Sequence, residues 1–252
     1  MHLITPYRCV SKTITLIPEL QEMDTNTILK QAESLSNDEE KLMLLAGFIG
    51  ENIDNLEAKD FILLLRPLVD ITERIYEQNP VQDTLSDYMI ALTKLAENYI
   101  KEEQGWLATP LLVKAEDLLR EQPDTKENAQ WKYKSYSDIG ECYYSNQRRI
   151  QAKEAYKQAL HYGSSAGEDT EDCEYNLKRI ENPTLNYDPI EESEPYLAVI
   201  DEVERRLYED LKNEPRHMGF CFEYWSAKRD LLAEYGIEWR SPHMMNPRVM
   251  FD

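Results

Sequence analysis

Apolar residues return every three or four positions through long stretches of the chain, and the breaks fall at Asn-Pro, Gln-Pro and Glu-Pro dipeptides. With only eight glycines in 252 residues, this pattern predicts an all-α fold of long helices with short stops. Ser36 or Asn37 followed by DEEKLMLLAGFIGENI reads as a capped helix whose acidic first turn suits the positive end of the helix dipole. LEAKDFILLLRPLVDITERIYEQNP carries Pro67 inside its periodic run, so a kink or break is expected near Arg66, with Pro80 at the end. DTLSDYMIALTKLAENYIKEEQ and WLATPLLVKAEDLLREQP make a helix pair divided near Gln104 and Gly105. Pro110 is expected in about the first turn of the second helix, where it is tolerated, and Pro123 closes that helix.

Residues 133–163, YKSYSDIGECYYSNQRRIQAKEAYKQALHYG, form another pair with an unusual order of small and aromatic side chains. Tyr136 precedes Ile139 and Gly140, and Tyr143, Ala152, Tyr156 and Ala159 follow. Gly140 and Ala152 carry almost no side chain, so two antiparallel helices can touch there while the aromatics fill the space beside them. Residues 133–166 resemble one tetratricopeptide repeat (TPR), a helix-turn-helix unit of about 34 residues. Two positions depart from that pattern: Gln147 stands where the turn often has glycine, and Ser164 stands where the family closes with proline, although Gly163 is expected to end the helix.

The same template laid on residues 89–122 meets Leu92, Leu95, Ala96, Tyr99, Ala108, Leu112 and Ala115, and a fainter match runs through Leu42, Leu45, Ala46, Ile49 and Ala58. The starts near 39, 89 and 133 are 50 and then 44 residues apart, so the array is irregular. The resemblance implies antiparallel helix pairs stacked as a short, irregular TPR-like α-solenoid. SSAGEDTEDCEYNLKRIENP reads as a polar turn and a capping helix with Cys173, Leu177 and Ile180 on one face. The expected organisation is an N-terminal segment and first helix over 1–36, the repeat region and its cap over 37–182, and C-terminal helices with an extended tail over 183–252, packed on the repeat region.

In that last part PTLNYDPIEESEP, with three prolines and a run of carboxylates, reads as a linker or surface crossing. Tyr196, Ile200, Val203, Leu207 and Leu211 recur at helical spacing, and a final helix spans about Gly219 to Tyr235. GIEWRSPHMMNPRVMFD is extended and apolar; burying each large side chain in it is worth about 1.5–3 kcal/mol, so it either folds back on its own helices or docks on another chain.

The charge narrows the partners. With 28 basic against 48 acidic residues, the net charge of −20 disfavours nucleic acid and anionic membrane surfaces and favours a basic protein or peptide. The one local basic cluster, Arg148, Arg149 and Lys153, is too small to offset it. MHLITPYRCVSKTITLIPEL lacks the continuous apolar core of a secretory signal, and no stretch of about eighteen apolar residues occurs, which predicts a soluble, cytoplasmic protein. Cys9, Cys142, Cys173 and Cys221 are far apart with no CxxC, as expected of reduced packing thiols.

No phosphate-binding glycine loop, HExxH or GxSxG occurs, and neither a cofactor nor a metal is called for. His217 and Cys221, four apart, are the one sequence-local pair from which a thiol-imidazole site is conceivable. Glu191, Glu192 and Glu194 read as a hydrated acidic face.

The expected function is a non-enzymatic protein-protein interaction module or scaffold. The family resemblance implies a concave face built from the first helix of each pair. That face would carry Thr93, Glu97, Ile100 and Lys101 in one unit, and Lys134, Ser137, Glu141, Tyr144 and Ser145 in the next. Chaperone-binding members of the family grip a terminal carboxylate with Lys and Asn at such positions; Glu97 and Glu141 stand here where Asn is wanted, which points to a basic or polar segment instead. Two alternatives are an acidic inhibitor or immunity-type protein covering a basic effector, and an all-helical enzyme with a site near His217 and Cys221.

Overall fold

A computed structural model describes residues 24–251, and among them the chain forms eleven α-helices, one short 3-10 turn and no strand. The reading of the N-terminal twenty residues and of Cys9 lies outside the described residues. The chain divides into two compact units between Glu102 and Glu103.

The first unit contains α1 (Thr25–Ser34), α2 (Asp38–Asn52), α3 (Ala58–Gln78) and α4 (Gln82–Lys101). Asn37 caps α2 as its sequence indicates, its side chain accepting from the amides of Glu39 and Glu40. Asp38 in that acidic first turn also accepts two hydrogen bonds from the Arg74 guanidinium of α3, at 2.8 and 2.9 Å. α1 packs on α2 and α3, α2 on α3, and α3 on α4. The buried residues are those of the apolar stripes, among them Ile28, Leu45, Phe48, Leu64, Leu68, Leu85 and Leu92. Of the kink or break expected near Arg66, a break does not occur: α3 runs continuously through Pro67. Leu64, Leu65, Leu68 and Val69 on either side of it are buried, and that burial outweighs one missing backbone donor. On α2 the faint template match describes the core only in part: Leu45 is buried, but Leu42, Ala46 and Ile49 are half-buried, and Phe48 and Asn52, outside the template, are buried.

The second unit contains α5 (Gly105–Glu121), α6 (Lys126–Ser145), α7 (Arg149–Ala166), α8 (Glu171–Glu181), the 3-10 turn Pro189–Glu192, α9 (Glu194–Leu211), α10 (Phe220–Glu234) and α11 (Pro242–Met245). Consecutive helices pack in sequence from α5 to α8. Pro110 sits one turn deeper in α5 than expected. Tyr136, Ile139, Gly140 and Tyr143 of α6 and Ala152, Tyr156 and Ala159 of α7 are all buried. A methyl group on Gly140 would lie 3.0 Å from the Tyr156 ring, so the glycine is what lets α6 and α7 approach. Gly163 does not end α7. The helix continues to Ala166 and is closed by Gly167 in the left-handed region at φ +75°. Gly163 serves packing instead: a methyl group there would meet Thr170 Cγ2 at 2.7 Å and the Tyr133 ring at 2.9 Å.

α8 buries Cys173 and Ile180, as a capping helix should. α9 then returns against α5 and packs on α10. Tyr196, Ile200, Val203 and Leu207 join Leu231, Leu232, Ile237 and Trp239 in one buried cluster. The tail therefore folds back through its first residues. Trp239 Nε1 donates to Glu191 at 2.7 Å, and the Arg240 guanidinium and backbone amide both donate to Asp188. Asn246 exchanges a reciprocal pair of hydrogen bonds with the backbone of Asn186, at 2.8 and 2.7 Å. Residues 183–195 run mostly exposed, as a surface crossing does, and these contacts anchor that crossing to the tail. Asp188 is buried because it caps the 3-10 turn and receives Arg240, and these hydrogen bonds hold its carboxyl below the usual range although burial pushes the other way.

Candidate functional site

The nine residues expected on a binding face fall in both units, four on α4 and five on α6. In the first unit Thr93 is half-buried and its hydroxyl donates to the Met89 carbonyl at 2.9 Å. Glu97 receives Lys94 and Lys101, one helical turn before and after it, each at 2.7 Å. Partial burial would raise the Glu97 carboxyl, but the two lysines win and hold it below the ordinary glutamate range. Ile100 is half-buried and Lys101 exposed. This part of α4 presents a balanced lysine-glutamate-lysine row.

In the second unit Lys134, Glu141 and Ser145 are exposed. Glu141 accepts from the buried Tyr156 hydroxyl at 2.9 Å, a bond that reaches back to the α6-α7 seam. The capping helix claims the other two positions. Ser137 accepts from Cys173 at 3.3 Å, and the Arg179 guanidinium lies 5.1 Å from the centre of the Tyr144 ring. Arg179 also lies 5.6 Å from the Tyr175 ring, which is 62% exposed. The structure thus adds to the α6 face a feature the sequence pattern did not single out: Arg179 of α8 lies between the rings of Tyr144 on α6 and Tyr175 on α8. The two ring faces seat a cationic side chain, here that of Arg179.

The side chains of the local basic cluster are engaged within the unit. Arg148 is only 3% exposed and donates to Asp201 at 2.5 Å, to Glu204 at 2.8 and 3.2 Å and to the Asn146 carbonyl. Burial works against the Arg148 charge, yet Glu204 and Asp201 override it and raise its affinity for the proton. Thr109 of α5 donates to the same Asp201 oxygen at 3.1 Å, and Lys228 of α10 stands 4.0 Å from Glu204. Asn146, beside Arg148, donates to the Gly105 carbonyl at 3.0 Å. One buried ionic knot therefore joins α5, the α6-α7 turn, α9 and α10. Arg149 reaches the Ile180 carbonyl at 2.6 Å and lies 3.9 Å from the Tyr187 ring centre, and Lys153 pairs with Glu181. All three basic side chains hold the unit together. Their partners lie about 30 to 60 positions away in sequence, so no local pattern announced them.

A second buried cation, Lys132, ties the α5-α6 connection: its Nζ donates to the Gln122 carbonyl at 2.7 Å and to Asp124 at 2.6 Å. Tyr162 donates to the same Asp124 oxygen at 2.7 Å, and burial with that carboxylate beside it lifts the Tyr162 hydroxyl to about 12.

His217 is exposed, with Nε2 3.4 Å from Glu223, and Cys221 is a half-buried free thiol. Among the described residues no group of three His, Cys, Asp or Glu side chains is placed to hold a metal ion, and no helix is long and apolar enough to cross a membrane. Glu191 and Glu192, read as a hydrated face, accept from Trp239 and Tyr187 respectively. Compared with known proteins, the chain matches no family profile, no curated protein and no solved structure.

Proposed function

We propose that this chain is a non-catalytic interaction module of the tetratricopeptide type that holds a basic or polar segment of another protein against α6 and the adjoining edge of α8. The observation that carries the reading is the α6-α7 pair, in which the small and aromatic positions of the pattern, Tyr136, Ile139, Gly140, Tyr143, Ala152, Tyr156 and Ala159, are all buried. Gln147, in the turn of that pair and in the place where the family favours glycine, sits in the left-handed region at φ +57°.

The charge of −20 and the exposed Glu141 carboxylate on α6 favour a partner with cationic side chains. Chemical cross-linking and affinity capture with the full chain, run beside the double variant Glu141→Lys/Tyr144→Ala, test this reading. A specific protein retained by the parent and lost by a folded double variant is the expected result; capture indifferent to both substitutions rejects the face. An acidic inhibitor of a basic effector is the second reading that the net charge favours, and its complex would weaken steeply with salt.

A further inference from the structure

α8 runs beside α6 in the same direction: the Tyr133 hydroxyl donates to the Asp169 carbonyl at 2.6 Å, Cys173 donates to Ser137, and Arg179 meets the Tyr144 ring. Side chains at matched heights on the two helices therefore share one face. Arg179 stands on it exposed, its guanidinium between the Tyr144 and Tyr175 rings. Arg74, Arg148, Arg205 and Arg240 each donate to a carboxylate, whereas no N–H of Arg179 has an acceptor among the described residues. Two carboxylates of its own helix are engaged by lysines, Glu174 by Lys178 and Glu181 by Lys153. A planar guanidinium that ring contacts hold in place, with its donors open to water, is a preorganised seat for a carboxylate.

The opposite charge stands close by. Glu141 lies one turn before Tyr144 on α6, is exposed, and gives Oε2 to the Tyr156 hydroxyl, which leaves its other oxygen for a cation. At about 1.5 Å of rise per residue, the carboxylate and the guanidinium are offset along the face by about one helical turn. A chain terminus or a phosphate group brings negative charge alone and meets Glu141 as repulsion. A segment that carries an acid and a base about one turn apart satisfies both.

Resting on the reading that this face holds a segment of another protein, we propose that Arg179 binds an acidic side chain of that segment and that a lysine or arginine beside it pairs with Glu141. The partner is then recognised by an acid-base pair and not by a run of basic residues.

Selection of random peptides displayed on phage against the full chain, run in parallel on the parent, Arg179→Glu and Glu141→Lys, reads the two charges separately. Both side chains are exposed, so circular dichroism should show each variant folded. Peptides selected on the parent should share an acid and a base at one fixed spacing; the acid should give way to a base on Arg179→Glu, and the base should disappear on Glu141→Lys. A peptide from the parent selection should bind Arg179→Lys about tenfold or more weakly, because lysine keeps the charge and gives up the planar fork. The same peptide with its acid replaced by arginine should bind Arg179→Glu again, which a merely structural role for Arg179 would not produce. Peptides that need Glu141 but share no acid, or that bind the Arg179 variants as tightly as the parent, overturn this inference and leave the face standing. Peptides indifferent to Glu141, Tyr144 and Arg179 alike, or none at all, reject the face and the inference with it.

Discussion

Replacing Arg148 with Met tests the ionic knot, because it removes the charge while keeping much of the volume. The parent side chain donates to two carboxylates and one carbonyl while 3% exposed. Removing one partner of a buried ion pair costs about 3–5 kcal/mol, since the remaining charge is left without compensation. The two carboxylates do not share that cost equally. The Asp201 side chain is 39% exposed and regains water, whereas that of Glu204 is 15% exposed and keeps only Lys228 at 4.0 Å. The lower end, about 3 kcal/mol, is therefore expected. At about 2–4 °C per kcal/mol for a chain of this size, the thermal midpoint should fall by about 6–12 °C.

Urea unfolding of the parent, Arg148→Met, Glu204→Gln and the double variant measures both the cost and the coupling. Once Arg148 is gone, neutralising Glu204 relieves a buried charge, so the double variant should lose at least about 1 kcal/mol less than the two singles together. A loss under about 1 kcal/mol for Arg148→Met, or strict additivity, would refute the claim that this knot holds α5, α9 and α10.

Gly105→Ala should cost about 1–3 kcal/mol in the same assay, because the added methyl would lie 1.8 Å from Asn146 Oδ1 and must displace that side chain. Gly140→Val should cost a similar amount by forcing the Tyr156 ring away from α6, and an unchanged urea midpoint would show that the seam is looser than described. Gln147→Gly should stabilise by up to about 1 kcal/mol, the relief of a left-handed residue exceeding the entropy added to the unfolded chain. Burial of Asp87 on α4, with Asp83 one turn away, lifts its carboxyl to about 6. Against about 3.9 in the unfolded chain, the native state keeps its proton longer, so this group lowers stability as pH rises from about 4 to 6. Asp87→Asn should thus gain about 1–2 kcal/mol at pH 7, after allowing for solvent screening, and little at pH 4; an advantage independent of pH would contradict the assignment.

Period and caps were enough to read the helices. Asn37, Pro80, Pro123 and the stripe Tyr196, Ile200, Val203 and Leu207 fall where the pattern puts them, because each acts within one turn of its own helix. Gly140 and Tyr156 were legible as a close approach because both belong to one helix pair. Pro67 and Gly163 misled for the same reason: their ordinary local effect is to break or end a helix, and packing from distant residues overrides it here. The role of Arg148 was illegible, since its carboxylate partners lie 53 and 56 positions away on another helix. On the candidate face Lys134, Glu141 and Ser145 are exposed, and the reach of α8 onto Ser137 and Tyr144 depends on how the chain turns after Gly167.

The most direct test of the central claim, that the α6-α8 face holds a segment of another protein, is photo-cross-linking from that face inside the cell of origin. A photoreactive amino acid replacing Ser145, exposed at the end of α6, should yield a discrete adduct with one protein, and the adduct should disappear when Glu141→Lys is added to the same chain. No adduct from this position, or one that persists with Glu141→Lys in a folded chain, would contradict the claim.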